Sequence, residues 1–297
     1  MVIGAVLMAA ALGTGSAIPW SKDYTHAFAE AEERRAPLLV HFRGEACGRP
    51  TVPGATESRG GARGVGISRP LHDTELSDCD LMQQDVLENA TVVEMARRYV
   101  PVLVGPGDET LNTRYQVVVN PTTLFLDPWG NEIFRVSGYL EREKFSRILQ
   151  AVPSDFAPLT PAGRALHERA DDPRALVDAA AFYESAGLRQ VSERLYEKAL
   201  AASAASDLGA RRQVIIARGL NLLMMGRGPD AARVFERGIA DAPEGQGSDA
   251  LLLGLINAHL TAGKRKEAEA AYARLARQFP DSPYTKRAKE NLEAAKK

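Results

Sequence analysis

The chain contains two cysteines, Cys47 and Cys79, separated by 31 residues. One thiolate can attack a disulfide and a second thiol can release the product, so a single pair is enough for thiol–disulfide exchange. The same pair can instead form one structural disulfide. Two thiols cannot make a disulfide-dense scaffold or a four-thiolate zinc site. The sequence therefore predicts either a redox pair or a single bridge.

The residues around Cys79 predict a helix that begins beside this cysteine. Ser77 and Asp78 are good N-cap residues. A thiolate at a helix N-terminus is stabilised by the free N–H groups and by the helix dipole. The negative charge of the Asp80 carboxylate, next to Cys79, disfavours the thiolate. Cys47 follows a predicted strand, and nothing in the sequence forces it onto a helix.

Composition excludes several other kinds of chemistry. The 37 basic and 38 acidic residues nearly cancel, so the chain lacks the positive field of a nucleic-acid-binding protein. The five histidines are scattered without the spacing of metal ligands, and we predict no metal site and no cofactor. With 297 residues, 45% of them apolar and 25% charged, the chain is of ordinary globular composition and long enough for two domains.

Residues 1–17 predict a signal peptide. The apolar run from Val2 to Gly13 has 12 residues, too short for the roughly 20 that span a bilayer. The small residues 15–17 fit a cleavage site. A buried N-terminal helix is the alternative, because no Lys or Arg precedes the run. We expect an exported protein, periplasmic or extracellular, with no membrane span after the signal is removed and with cysteines in a disulfide-permissive compartment.

Residues 20–150 predict a small α/β sandwich with an inserted loop. The insert, residues 48–78, contains six Gly, three Pro and four Arg, and such a composition predicts a mobile loop. The expected order is helix, strand, two helices, three strands and a helix. Helices are predicted over 20–37, from 79, from about 90 and over 141–149, and strands over 38–42, 100–104, 122–126 and 133–136.

Residues 151–161 contain three prolines and predict a linker. Beyond it, Gly187, Gly226 and Gly263 are each followed nine residues later by an aromatic residue. Such a fixed period predicts repeated units of a helix, a glycine turn and a second helix. Alanine and proline recur at matching offsets after the second and third glycines. Over residues 172–282 this spacing resembles the tetratricopeptide repeat.

This resemblance implies an all-α solenoid of helical hairpins over residues 162–297. It also implies a groove that holds a protein partner or client. The groove residues that would define the partner vary freely in this family, so the sequence does not name it.

Residues 20–150 resemble the thioredoxin fold, in particular the secreted branch that includes the C-terminal domain of the disulfide reductase DsbD. The motifs that carry the resemblance are Leu38–Phe42, Glu45-Ala46-Cys47-Gly48, Asp85–Asn89, Asn120-Pro121-Thr122 and Gly138-Tyr139. The family has Trp-Cys-x-x-Cys after the first strand. Here Ala46 replaces the tryptophan and Pro50 the second cysteine. Cys79 resembles the second half of the motif, displaced by the insert.

The resemblance assigns roles to three further residues. His41 lies where thioredoxins commonly carry a buried carboxylate, so it is a candidate proton shuttle. The alternative is a buried strand histidine with a backbone partner. Pro121 matches the family's cis-proline, which together with Asn120 would shape a substrate groove. Its alternative role is architectural, ending the pairing of a strand.

Two functional hypotheses follow. The first is an exported binding or scaffold module with weak or no redox activity, in which Cys47 and Cys79 form at most a structural bridge. The second is a thiol–disulfide oxidoreductase that uses the same cysteines as a split pair. The separation of the cysteines and the loss of the tryptophan favour the first.

Overall fold

The computed structural model describes residues 17–44, 76–204, 207–241 and 247–295. The chain divides into two compact units, with the boundary between Asp155 and Phe156. The predicted signal peptide up to residue 16, most of the predicted insert and Cys47 lie outside the described residues. The second unit begins within the segment that the sequence suggests as a linker.

The first unit is a mixed four-stranded sheet flanked by helices. The sheet order is β2-β1-β3-β4, with β1 parallel to β2 and the other pairs antiparallel. Both central strands are buried at every position, as expected for a sheet covered on both faces. The strands are β1 Leu38–Phe42, β2 Val100–Val104, β3 Thr122–Leu126 and β4 Glu132–Ser137. This arrangement confirms the predicted α/β sandwich.

The helices of the first unit are α1 Tyr24–Arg34, α2 Asp78–Leu81, a π-helix Met82–Leu87, α3 Ala90–Ala96, α4 Glu109–Tyr115 and α5 Arg142–Ala151. The predicted order is wrong at α4, which it omits. The carboxylate of Asp108 accepts a hydrogen bond from the Leu111 N–H and caps this helix. Leu111 and Tyr115, one turn apart, are buried against the sheet. The first helix is also shorter than the predicted range 20–37.

A tight turn joins β3 to β4. The Asp127 carboxylate accepts hydrogen bonds from the backbone N–H groups of Trp129 and Asn131, both at 2.9 Å, and from the Asn131 side-chain amide at 2.8 Å. This hairpin fixes the register of β3 against β4. It therefore also fixes the opposite end of the hairpin, where Pro121 enters β3 and Gly138 leaves β4.

Replacing Asp127 by alanine is expected to lower the free energy of unfolding of the first unit by about 2 kcal/mol, because buried N–H donors lose their acceptor. Asp127→Asn keeps one acceptor oxygen for the two backbone donors and is expected to cost less than half as much. Urea unfolding followed by tryptophan fluorescence measures both, since Trp20 and Trp129 are the chain's two tryptophans. Equal losses in the two variants would contradict this role of the carboxylate.

The segment before α1 adds to the sheet. Ser21 pairs with β2 in parallel: its N–H donates to the Pro101 carbonyl at 2.9 Å, and its carbonyl accepts from the Leu103 N–H at 2.8 Å. Ile18 is buried. The chain from residue 18 onward is therefore an integral part of the first unit.

The second unit is a run of helices. They are α6 Thr160–Glu168, α7 Pro173–Ser185, α8 Arg189–Ala202, α9 Leu208–Met224, α10 Gly228–Asp241, α11 Ser248–Thr261, α12 Arg265–Gln278 and α13 Pro283–Ala294. A short 3₁₀-helix, Ala157–Leu159, precedes them. The three turn glycines, Gly187, Gly226 and Gly263, have φ of +80°, +70° and +70°, a region that favours glycine. The predicted helical hairpins are confirmed.

Phe235 of α10 is the central side chain of the second core. Its ring is fully buried. A Cβ built on Gly219 of α9 would lie 2.3 Å from the ring, and one built on Gly254 of α11 would lie 2.4 Å from it. Two neighbouring helices therefore approach the ring so closely that each has a glycine at the contact.

No helix in the described parts of the chain is long and apolar enough to cross a membrane.

Candidate functional site

A cis peptide bond joins Asn120 to Pro121 immediately before β3. The Pro121 carbonyl accepts a hydrogen bond of 2.7 Å from the Gly138 N–H, just after β4. Gly138 has φ of +78°, so this position favours glycine. The two ends of the β3–β4 hairpin are thus held together, and they define one edge of the first unit.

Cys79 lies in the first turn of α2, close to this edge. The Ser77 hydroxyl caps the helix by accepting from the Asp80 N–H at 3.2 Å, as the sequence predicts. A Cβ built on Gly138 would lie 3.2 Å from Oδ2 of Asp78. The start of α2 therefore contacts the residue that is hydrogen-bonded to Pro121. Cys79 is 6% exposed and disulfide-bonded.

The end of β1 reaches the same edge. A Cβ built on Gly44 would lie 2.9 Å from Cβ and Nδ2 of Asn120. Gly44 is the last described residue before the gap at 45–75, and Leu76 is the first after it. The first border of this gap therefore contacts Asn120, and the second lies two residues before Asp78, which approaches Gly138. Sequence reasoning did not single out Gly44, because its contact with Asn120 joins segments that are distant in the chain.

His41 is buried in β1, one residue before the strand ends. Its Nδ1 lies 2.9 Å from Oγ1 of Thr123, the residue opposite it on β3, and the Trp20 ring lies against it with centroids 5.8 Å apart. Burial, assisted by the positive charge of Arg43, lowers the pKa of His41 to about 3. Its side-chain partner is a threonine hydroxyl rather than the backbone group expected from the sequence. At neutral pH the imidazole is uncharged, and a proton-shuttle role for it stays a prediction.

This burial makes the stability of the first unit depend on pH. In the unfolded chain His41 takes up a proton below its ordinary pKa of 6.5, whereas in the folded chain it does so only near 3. Between these values the unfolded state binds more protons than the folded state. The contribution of His41 to stability is therefore fully present above pH 6.5 and is lost as the pH falls towards 3. From pH 7 to pH 5 we expect this residue to remove about 2 kcal/mol.

Urea unfolding at pH 7 and pH 5, followed by tryptophan fluorescence, measures this loss. His41→Asn, which does not titrate, should lower the pH 7 minus pH 5 difference in unfolding free energy by about 2 kcal/mol relative to the wild type. His26→Asn, at an exposed position, should leave the difference unchanged. An equal pH dependence in the wild type and in His41→Asn would contradict the assignment.

Exposed apolar residues also gather near the cis-proline. Among the described residues of the first unit, the large hydrophobic side chains that remain exposed are Leu76, Val118 and Val119. Val118 is 80% exposed, and the Val119 carbonyl accepts from the Thr122 hydroxyl at 2.7 Å. The sequence analysis did not single out residues 117–119. Their exposure was missed because alternation of apolar residues does not reveal which of them the fold covers.

The chain resembles two known families in separate segments. A model of the thioredoxin-like domain matches residues 70–153, and a model of the tetratricopeptide repeat matches residues 222–292. The chain carries a thioredoxin-like domain followed by tetratricopeptide repeats. A solved structure titled DsbH oxidoreductase is similar at 15% sequence identity with a TM-score of 0.32, over 50% of this chain and 93% of that one. No curated protein matches the chain.

The match to the thioredoxin-like domain includes Cys79, Asn120 and Pro121, and it leaves out His41 and Cys47. The structure places Cys79 and the Asn120–Pro121 bond at one edge of this domain, with His41 one residue from the end of the neighbouring strand. Cys47 lies outside the described residues. Within the described part of the chain, no three His, Cys, Asp or Glu side chains are grouped to hold a metal ion.

Proposed function

We propose that this chain is an exported binding module. A structural Cys47–Cys79 disulfide stabilises its thioredoxin-like domain, and its repeats hold a protein partner. The observation that carries the proposal is the state of Cys79, which is disulfide-bonded and almost completely buried. The sequence contains one other cysteine. Cys47 follows Gly44 by three residues, which span at most about 11 Å.

The surroundings of Cys79 support a structural bridge over an exchanging one. Asp78 and Asp80 flank the cysteine, and carboxylates disfavour the thiolate that exchange requires. The imidazole of His41 is neutral and hydrogen-bonded within the sheet, so it is a weak base. A bridge that closes a loop of this length stabilises the fold by roughly 3–4 kcal/mol in the chain-entropy estimate. This stabilisation is a sufficient reason for the chain to contain two cysteines, and no catalytic role is needed to explain them.

Export is supported by the apolar run of residues 2–13 and by the small residues at 15–17. A cleavage after Ala17 would leave Ile18 in the core and Ser21 paired with β2. The repeats support the second half of the proposal, because stacked helical hairpins form extended surfaces for other proteins.

The position of Cys79 favours a second candidate function, thiol–disulfide exchange. Cys79 lies in the first turn of a helix, where a thiolate gains from free N–H groups, and this helix contacts the residue hydrogen-bonded to Pro121. Exposed Val118 and Val119 lie just before the cis-proline and would offer a client an apolar surface, with Asn120 and Pro121 forming the groove.

Counting free thiols tests the bridge directly. The full chain, purified from an oxidising compartment, is alkylated with and without prior reduction, and the intact masses are compared. The proposal expects no alkylation before reduction and two alkylations after it, in a monomer. Two alkylations without reduction would overturn the bridge.

The reduction potential then separates the two functions. Structural bridges have potentials below about −300 mV, whereas labile exchanging ones lie above this value. Equilibration with dithiothreitol and glutathione buffers measures the potential of the Cys47–Cys79 pair. A value above about −300 mV, together with mixed disulfides trapped by only one of the variants Cys47→Ser and Cys79→Ser, would replace the binding module with the oxidoreductase.

A further inference from the structure

The segment that follows β4 contacts the helix of Cys79 on both sides of the cysteine. Before the cysteine, a Cβ built on Gly138 would lie 3.2 Å from Oδ2 of Asp78. After it, the Tyr139 hydroxyl donates a hydrogen bond of 2.7 Å to Oδ2 of Asp85, within the π-helix. Cys79 is therefore bracketed by contacts with two consecutive residues of the same segment.

Gly138 also fixes this segment to the start of β3. Its N–H donates to the Pro121 carbonyl at 2.7 Å, so the segment cannot move away from β3 without breaking a hydrogen bond. Asn120, which precedes this proline, lies against Gly44 just beyond the end of β1. The segment thus links the helix of Cys79 to the place from which the chain continues toward the other cysteine.

The helix that carries the buried cysteine depends on such contacts because its own backbone holds it weakly. Helix α2 has four residues, Asp78–Leu81, and the six that follow, Met82–Leu87, are π-helical. Isolated helices this short are unstable in water, and π-helical turns are rare. The Tyr139–Asp85 bond is a strong support, since hydrogen bonds to a carboxylate are about twice as strong as those between neutral groups. Arg142 lies 3.9 Å from the same carboxylate, but the two side chains are 41% and 38% exposed, and exposed ion pairs contribute little.

We propose that Tyr139 and Asp85 are positioning residues for the Cys47–Cys79 bridge, and that their hydrogen bond makes the bridge harder to reduce. The inference rests on the proposed function and concerns what sets the redox stability of that same bridge. In the bridged protein the disulfide and the Tyr139–Asp85 bond both restrain the helix of Cys79. Reduction removes the first restraint, so the hydrogen bond forms less completely in the dithiol. Two interactions that favour the same arrangement strengthen each other by an equal factor.

The equilibrium between the bridged protein and dithiothreitol tests this inference on the full chain. The S–S bond of the protein breaks, both cysteines become thiols, and dithiothreitol closes to its cyclic disulfide. The equilibrium constants of the wild type, Tyr139→Phe, Asp85→Ala and the double variant are measured by acid quenching, alkylation and intact mass. Sucrose, which favours compact states, keeps the reduced domain folded, as tryptophan fluorescence verifies.

Tyr115→Phe is the matched control. It also removes a tyrosine hydroxyl from the first unit, but this hydroxyl donates to the Gly130 carbonyl at 3.0 Å, in the turn between β3 and β4. The control therefore weakens the same domain at the other end of the hairpin. We expect it to lower the stability of the domain and to change the equilibrium constant less than twofold.

In Tyr139→Phe and in Asp85→Ala we expect the equilibrium to shift about three- to tenfold toward the dithiol. The double variant should shift no further than either single variant, because both changes remove the same bond. Unfolding in urea should agree with this shift. Tyr139→Phe should lower the folding equilibrium constant of the bridged protein more than that of the reduced protein, and by the same factor.

An unchanged equilibrium in Tyr139→Phe, a shift toward the bridged form, or an equal shift in Tyr115→Phe would overturn the inference. Shifts that add in the double variant would also overturn it. Each of these results leaves the bridge itself in place. Two free thiols in the untreated wild type would instead overturn the bridge and the inference together, so the two failures are distinguishable.

Discussion

Replacing Cys79 by serine is expected to lower the free energy of unfolding of the thioredoxin-like domain by about 3–4 kcal/mol. The reason is the freedom regained by the unfolded chain when a loop of this length opens. Cys47→Ser should give the same loss within about 1 kcal/mol, and the double variant should lose no more than either single variant. Reduction of the wild type provides a control that introduces no new side chain.

Urea unfolding followed by tryptophan fluorescence measures this effect, since Trp20 and Trp129 both lie in the first unit. Losses that add in the double variant would show that the two cysteines act separately, contrary to a shared bridge. The repeats should unfold with an unchanged urea midpoint in all variants, as followed by far-ultraviolet circular dichroism, because the bridge acts on the first unit alone.

Phe235→Ala should cost the second unit about 3–5 kcal/mol, as for other large-to-small changes of buried aromatics. The expected value lies at the upper end because Gly219 and Gly254 have no side chains to move into the space the ring leaves. The cavity therefore remains open between three helices. Circular dichroism during urea unfolding reports the loss, since most of the helices belong to this unit.

Tyr272 offers the matched control for this change. It follows its turn glycine by nine residues, as Phe235 does, but it is only partly buried. Tyr272→Ala is expected to cost less than half as much as Phe235→Ala. The converse change, Gly254→Ala, should also destabilise, by about 1–3 kcal/mol, because the new methyl group would meet the ring. A neutral Gly254→Ala would contradict the tight packing around Phe235.

The features that the sequence predicts correctly depend on neighbours in the chain. Ser77 caps its helix as expected, because a cap needs only the next three residues. The turn glycines recur at a period that self-comparison detects. Helix α4 was missed although its signals were local: Asp108 is a good N-cap, and Leu111 and Tyr115 are one turn apart. Its seven residues are too few for a strong periodic signal.

The candidate site depends on contacts between distant segments, and single-sequence reasoning could not supply them. Thr123 faces His41 because of the register between β1 and β3. Trp20 covers His41 because the chain before α1 returns to the sheet. Neither contact leaves a pattern in the sequence. The resemblance to thioredoxin pointed to the cis-proline, but the approach of Gly44 to Asn120 is visible only in the structure.

The pairing of Ser21 with β2 also limits how the sheet can meet other molecules. An edge strand with open N–H and carbonyl groups is a template on which another chain can add a strand and begin to aggregate. Ser21 occupies the Pro101 carbonyl and the Leu103 N–H, so this stretch of β2 is closed to an incoming strand. Proteolytic trimming that stops before Ile18 keeps that protection. Trimming beyond Ser21 would instead leave the Pro101 carbonyl and the Leu103 N–H free to pair with a strand of another chain.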